Sequence, residues 1–239
     1  MTKKEVAAAL ASLDDLPNWS TRVLMVGVLA SSKTLRGETN KWPNRYPNVF
    51  DIVGLFPPHR RTVNLIHYAS DDYHTLPEQL DQLMDLGGRY LDGFQLNVTW
   101  PEPSRIDIGK RMRVVLQLNR KALEVHDNNP ERVAKELDWY KPYITDVLID
   151  ASGGLGIPMD VEIAEAYVRA IGGRHTDLGI GVAGGLSHEG MKDIRPLAEK
   201  FPNLSLDAEG RLRTPAPEDR IDVDAMQSYI SIADGLFDH

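Results

Sequence analysis

Eight apolar segments alternating with amphipathic stretches predict an α/β protein, a (β/α)8 TIM barrel built as one domain over residues 1–239. Three observations carry that expectation. The C-terminal half repeats one pattern: an apolar strand, a small or acidic residue at its end, glycine, then an amphipathic helix. Asp146-Val147-Leu148-Ile149-Asp150 runs into Ala151-Ser152-Gly153-Gly154-Leu155-Gly156, and residues 178–183 run into Gly184-Gly185-Leu186. Leu204-Ser205-Leu206-Asp207 likewise runs into Ala208-Glu209-Gly210-Arg211. Strands alternating with helices imply a parallel sheet, because parallel neighbours need crossover connections. The length of 239 residues also suits a barrel, and no Ser/Gly-rich linker splits it.

Taken in order, residues 3–14 read as a first helix and 23–29 as a first strand. The stretch 31–48 is rich in Asn, Lys, Arg and Pro without a helical period. A loop of that length is either a functional lid or a surface excursion. Residues 49–56 read as a second strand stopped by Pro57-Pro58, and 62–69 as a third, rich in β-branched residues. Residues 76–86 form a helix ended by Gly87-Gly88. The fourth and fifth strands are 91–97 and 114–119, with a short helix over 102–111 between them. Pro130 opens the next helix, whose buried face is Val133, Leu137 and Tyr140. The sixth strand ends at Asp150 and is followed by a helix with Ile163, Ala164, Tyr167, Val168 and Ile171 on one stripe. The seventh strand ends at Ala183, with Ser187 as the N-cap of a helix that turns Met191, Ile194, Leu197 and Ala198 inward. The eighth ends at Asp207, and the last helix buries Met226, Tyr229, Ile230 and Ala233.

Composition narrows the function. A net charge of −8 and a pI near 5.4 argue against a nucleic-acid partner. The clusters His59-Arg60-Arg61 and Arg111-Met112-Arg113 are too short to change that. The absence of cysteine excludes disulfides, Cys-zinc sites and thiol catalysis. No apolar run approaches about 18 residues, so no membrane partner is expected. The N-terminal apolar run is short and followed by Asp14-Asp15, which reads as helix rather than signal peptide and makes the cytoplasm the default address. The expected partner is a small molecule, and an oligomer stays open.

Alternate strand residues share a face. Gln95 pairs with Asn97, Gln117 with Asn119, Leu148 with Asp150, Ser205 with Asp207, and His67 with Val63 and Leu65. Polar residues at several strand ends would form a ring at a barrel mouth. Asp150, Asp207 and His67 are the candidates for proton transfer. Each also has a plainer reading: Asp150 could cap a turn on the Ser152 or Gly153 N–H, Asp207 could brace its loop, and His67 could be structural. Asn97 and Asn119 do not titrate and suit substrate orientation. Gly184 and Gly185 offer backbone N–H groups to an anion. No metal is indicated, since neither a His-x-His pair nor a carboxylate cluster of ligand spacing is present. No lysine sits within a strand for Schiff-base chemistry, and no cofactor is expected.

From residue 91 onward the chain resembles the phosphoribosylanthranilate isomerase family. Gln95-Leu96-Asn97 is similar to that family's Gln-Leu-His. Leu148-Ile149-Asp150 with Gly153-Gly154-Leu155-Gly156 is similar to its Leu-Leu-Asp strand and glycine loop. Ala183-Gly184-Gly185-Leu186-Ser187 resembles its Gly-Gly-Leu turn, and Leu206-Asp207 with Gly210 its last strand and loop. The resemblance implies a barrel that performs an Amadori-type isomerisation of a phosphorylated aminosugar. Asp150 then matches the family's general acid, and Gly184, Gly185 and Gly210 its phosphate loops, with Arg211 or Arg213 offsetting Glu209. The family's base is a cysteine late in strand one, where Val26 stands here. The expectation is therefore a related pocket with Asp207 or His67 as base, acting on a phosphorylated sugar-like substrate in place of the tryptophan-pathway one. An epimerase or lyase in the same pocket, or a barrel that binds sugar or phosphate without turnover, are the alternatives.

Overall fold

The computed structural model describes residues 2–17, 20–109, 112–150 and 159–237. Seven parallel strands form one sheet in chain order: β1 (Leu24–Ser31), β2 (Thr62–Ala69), β3 (Gly93–Asn97), β4 (Arg113–Asn119), β5 (Asp146–Asp150), β6 (Gly179–Ala183) and β7 (Ser205–Asp207). Helices alternate with them: α1 (Lys3–Asp15), α2 (Ser32–Leu35), α3 (Leu76–Gly87), α4 (Arg120–Val125), α5 (Pro130–Tyr140), α6 (Val161–Arg174), α7 (Met191–Lys200) and α8 (Val223–Gly235). Among the described residues, no helix is long and apolar enough to cross a membrane.

The strand expected at 49–56 is not a strand. Val49–Leu55 winds as a 3-10 helix, begun by the Asn48 side chain accepting from the Phe50 N–H at 3.0 Å. Its burial follows a period of three, with Ile52 and Leu55 buried while Phe50 and Val53 are exposed. A strand would need alternation. β1 therefore pairs directly with β2, from Leu24 against Thr62 to Ser31 against Ala69, and the described sheet has seven strands rather than eight. The helix expected over 102–111 shrinks to a 3-10 turn, Pro103–Ile106. Ile163 lies outside the buried stripe of α6, at 49% exposure.

The sheet has two apolar faces. Val26, Val28, Ile66, Tyr68, Leu116, Leu118, Val147 and Ile149 belong to the large core that also holds the helix residues Leu80, Leu83, Leu137 and Ile171. The opposite face is a small cluster of Leu65, Val115, Leu148 and Ala183, with Met25 and Val63 against it. The period of two then sends His67, Gln95, Gln117, Asn119, Asp150 and Asp207 to that second face, toward the C-terminal ends of their strands. Register locks them together: His67 lies opposite Gln95, Asn119 opposite Asp150, Asp150 opposite Ala183, and Ala183 opposite Asp207. Gly93 permits the tight approach of β4, because a Cβ there would stand 1.9 Å from the Arg113 carbonyl oxygen.

No bridge joins β7 to β1 among the described residues. Helices α1 and α8 pack against each other there. Arg22, just before β1, donates to the carbonyl oxygens of Leu204, at 3.3 Å, and Pro202 before β7. Its guanidinium also lies over the Phe237 ring, 3.7 Å from the centroid. A side chain thus spans the gap that ladder hydrogen bonds would otherwise close.

Candidate active site

The C-terminal ends of the strands surround a cavity of about 630 Å³. His67, Asn97, Gln117, Asn119, Asp150, Asp207, Gly184, Gly185 and Gly210 line it, so most of the polar strand ends expected to converge do so. Gln95 reaches the group through hydrogen bonds from below. Arg211 lies outside the lining. The 3-10 turn Gly210–Leu212 drives Leu212 into the core, at 4% exposure, and turns its neighbour Arg211 to the surface.

Two glutamines connect the titratable groups. Gln117 Nε2 donates to Asp150 Oδ2 at 2.9 Å, and Gln117 Oε1 accepts from Gln95 Nε2 at 3.1 Å. The same Gln95 nitrogen lies 3.3 Å from Asp207 Oδ2 and 3.5 Å from His67 Nδ1. An amide nitrogen carries two hydrogens, and here three acceptors face it. A proton on Asp207 or on His67 Nδ1 removes one acceptor from the competition. Burial pushes the Asp207 carboxyl above the usual carboxylate range. His67 and the Gln95 hydrogen bond oppose that rise, while the Glu209 and Asp150 carboxylates add to it.

Asn119 has a structural task as well. Its Oδ1 caps α4 by accepting from the Ala122 N–H at 3.0 Å, and its Nδ2 donates to Asn97 Oδ1 at 2.9 Å. Asp150 is 5% exposed at the end of β5. The glycine loop that follows it, with the Ser152 and Gly153 groups that could brace it, lies outside the described residues. Gly184 and Gly185 take φ of 123° and 60°, values that favour glycine, at the turn after β6. The N-cap of α7 is Gly190, not Ser187; the Ser187 Oγ instead closes the preceding turn by accepting from the Gly190 N–H at 3.2 Å. The helix therefore begins further from the glycine pair than the sequence pattern suggests.

Val26 is not on the cavity face. It packs in the outer core, while Met25 joins the inner cluster and Leu29 lines the cavity. The inward positions of β1 are thus Met25, Gly27 and Leu29, none of which titrates.

One wall comes from the stretch 31–48, through Ser31, Ser32, Lys33, Asn40, Lys41, Trp42, Arg45 and Tyr46. It is tied down. Ser31 donates to Asn40 Oδ1 at 2.6 Å, and Asn44 Nδ2 donates to the Glu218 carbonyl at 2.9 Å. Arg45 Nε donates to Asp219 Oδ2 at 2.7 Å, and Arg45 Nη1 lies 3.4 Å from Glu209 Oε1. Arg213 adds a second cation, 3.0 Å from Asp219 and 3.9 Å from Glu209. The Glu209 carboxylate at the rim is therefore countered by two guanidinium groups. The Trp42 ring stands at the rim with Lys41 and Arg45 cations 4.5 and 4.9 Å from its centroid. Sequence reasoning missed Arg45 and Trp42 because nothing periodic marks them.

The Arg45 clamp has a pH signature. Burial alone would raise the Asp219 carboxyl, but its bonds to Arg45 and Arg213 outweigh that and hold it below the usual range. A depressed folded pKa stabilises the fold above the unfolded value, about 3.9, and that stability is lost as pH falls through the folded pKa. Arg45→Ala should therefore lower stability at neutral pH, on the order of 2 kcal/mol for a charged hydrogen bond. It should also flatten the acid side of the stability profile. Urea unfolding across the acid range checks both.

No protein-family model matches the chain, and no curated protein matches it. Solved structures do. The phosphoribosyl anthranilate isomerase of Thermus thermophilus superposes with a TM-score of 0.68 at 16% identity, covering 99% of this chain and 96% of that one. The phosphoribosylanthranilate isomerase of Thermotoga maritima gives 0.64 at 15% identity, over 98% and 95% of the two chains. The tryptophan synthase alpha subunit of Legionella pneumophila gives 0.58 at 10% identity, over 98% and 86%. At such identities the likeness is one of architecture, and the chain has the α/β-barrel fold that phosphoribosylanthranilate isomerases share.

Proposed function

We propose that the mouth of the barrel is an acid–base site that isomerises a small, phosphorylated, sugar-like substrate. The observation that carries this is the network joining Asp150, Gln117, Gln95, Asp207 and His67, with burial raising the Asp207 carboxyl within it. A base works best when its pKa lies close to the working pH, and burial moves a carboxyl that way. This favours turnover over binding alone.

In the proposed reaction Asp150 protonates the ring oxygen of an aminoaldose. The C1–O bond breaks as the amine lone pair forms C=N. Asp207, with His67 beside it, then takes the proton from C2. The resulting C1=C2 enolamine takes a proton at C1 as its C2 hydroxyl loses one, giving the amino ketone. Asn97 and Asn119 orient hydroxyls. The N–H groups around Gly184 and Gly185 receive the phosphate, and the Arg45 and Arg213 guanidinium groups offset Glu209 near Gly210. One phosphoribosyl anthranilate isomerase of the same fold was solved with reduced 1-(o-carboxyphenylamino)-1-deoxyribulose 5-phosphate, a ligand of this class.

Phosphorylated aldoses and ketoses should raise the melting temperature, while their unphosphorylated counterparts should not. A ligand at 100 times its Kd adds about 2.7 kcal/mol. Equal response to both sets, or to neither, would remove the phosphosugar assignment. Because β1 presents no titratable side chain inward, the chain should not restore growth to a strain lacking phosphoribosylanthranilate isomerase. Normal growth would show that Asp207 or His67 performs the cysteine's task on that substrate.

A further inference from the structure

Two guanidinium groups and two carboxylates meet where the 31–48 stretch touches the loop after β7: Arg45 and Arg213 with Asp219 and Glu209. We infer that Arg45 is an anion-binding residue of the mouth, and that Glu209 is an internal carboxylate that covers it until the ligand's phosphate displaces it. The inference rests on the phosphosugar reading of the mouth and names how that site selects its ligand. The two carboxylates are held unequally. Asp219 accepts from Arg45 Nε at 2.7 Å and from Arg213 Nε at 3.0 Å. Glu209 Oε1 lies further out, 3.4 Å from Arg45 Nη1 and 3.9 Å from Arg213 Nη1. The Glu209 carboxylate makes no other hydrogen bond or ion pair among the described residues, and its side chain is 33% exposed. Pairs so long and so wet contribute little, so Glu209 can leave at small cost. Asp219 keeps both guanidinium groups in place, and with Glu209 withdrawn two cations face one carboxylate.

The placement suits a phosphate. Arg45, Glu209 and Gly210 line the same cavity as Gly184 and Gly185. The space beside Gly210 is open, since a Cβ there would meet nothing within 4 Å. Arg45 Nη2 makes no hydrogen bond among the described residues, which leaves the fork a free N–H for a phosphate oxygen. The other charges of the mouth do not take this role. Arg120 is held by Glu124 at 2.8 Å. Lys33, Lys41 and Lys121 are exposed and draw an anion inward without fixing its position. The Asp150 and Asp207 carboxylates accept from Gln117 and Gln95, Asp71 is exposed, and none of the three pairs with Arg45. A bare anion therefore competes with Glu209 on its charge alone. A sugar phosphate adds its hydroxyl contacts to Asn97 and Asn119, so the mouth favours it.

The test titrates inorganic phosphate and ribose 5-phosphate calorimetrically into the full-length chain and its variants. Glu209→Gln keeps the side-chain shape and removes the charge, and should tighten both anions by about fivefold, the upper range for a partly exposed ion pair. Plain repulsion between Glu209 and the ligand would give the same gain, so Arg45 decides. Arg45→Gln should weaken both anions, and adding Glu209→Gln to it should then change affinity by less than about twofold. A crystal structure of the unaltered chain with ribose 5-phosphate gives a second readout that needs no variant to fold. It should place a phosphate oxygen within hydrogen-bond reach of Arg45 Nη2, with the Glu209 carboxylate turned away. Binding by the unaltered chain with no gain in Glu209→Gln would overturn the displacement and leave the phosphosugar reading standing. A gain that survives without Arg45, or bound phosphate with Glu209 still on Arg45, would do the same. No binding of either anion by any of the folded chains would overturn both.

Discussion

Asp150→Asn should lower turnover of the true substrate by roughly 10²-fold or more while ligand affinity changes little. The substitution preserves size and shape and removes the transferable proton. Gln117 Nε2 now donates to Asp150 Oδ2 at 2.9 Å, and the asparagine carbonyl can accept the same bond. The network therefore survives and the chemistry does not. If Asp150 were only a brace for the loop after β5, the same change would lower the melting temperature and weaken binding, with activity falling in proportion. Measuring kcat, KM and unfolding on one preparation separates the two.

Asp207→Asn should pull activity and stability in opposite directions. Turnover should fall by about 10²–10⁴-fold, the range for a positioned acid or base. Stability near neutral pH should hold or rise. Burial lifts the folded pKa of Asp207 above its unfolded value. Such a group stabilises the fold most below the unfolded pKa, about 3.9, and that contribution is lost as pH rises through the raised one. The unaltered protein should thus lose ground relative to the variant as pH rises from about 4 through the raised pKa of Asp207. Urea unfolding at both ends of that window reads it. A residue kept at a cost to stability and needed for rate is one retained for function.

Much of this was legible in the sequence. The period of two in Gln95–Asn97, Gln117–Asn119 and Leu148–Asp150 placed those residues on one face, and the parallel register delivers Asn97, Gln117, Asn119 and Asp150 to one mouth. What escaped was non-periodic or non-local. Residues 49–56 are apolar enough for a strand, and only the spacing of Ile52 and Leu55 against Phe50 and Val53 reveals the 3-10 winding. The Gln95 nitrogen facing three acceptors depends on four strands meeting, which no local pattern encodes. Arg45 reaches Asp219 and Glu209 across more than 160 positions of chain, with turn residues on either side. Val26 illustrates the reverse: motif spacing put it at the family's catalytic position, and the strand alternation seen in the structure turns it to the outer core.

The most direct test is proton exchange at carbon. The protein is incubated in D2O with a panel of phosphorylated aldoses and aminoaldoses, and deuterium at the carbon next to C1 is followed by NMR. That reads C–H cleavage without knowledge of the product. The acid–base mouth predicts incorporation well above the buffer rate for at least one panel member, lost in Asp207→Asn. Incorporation no faster than buffer across the panel, or incorporation untouched by Asp207→Asn, would contradict it.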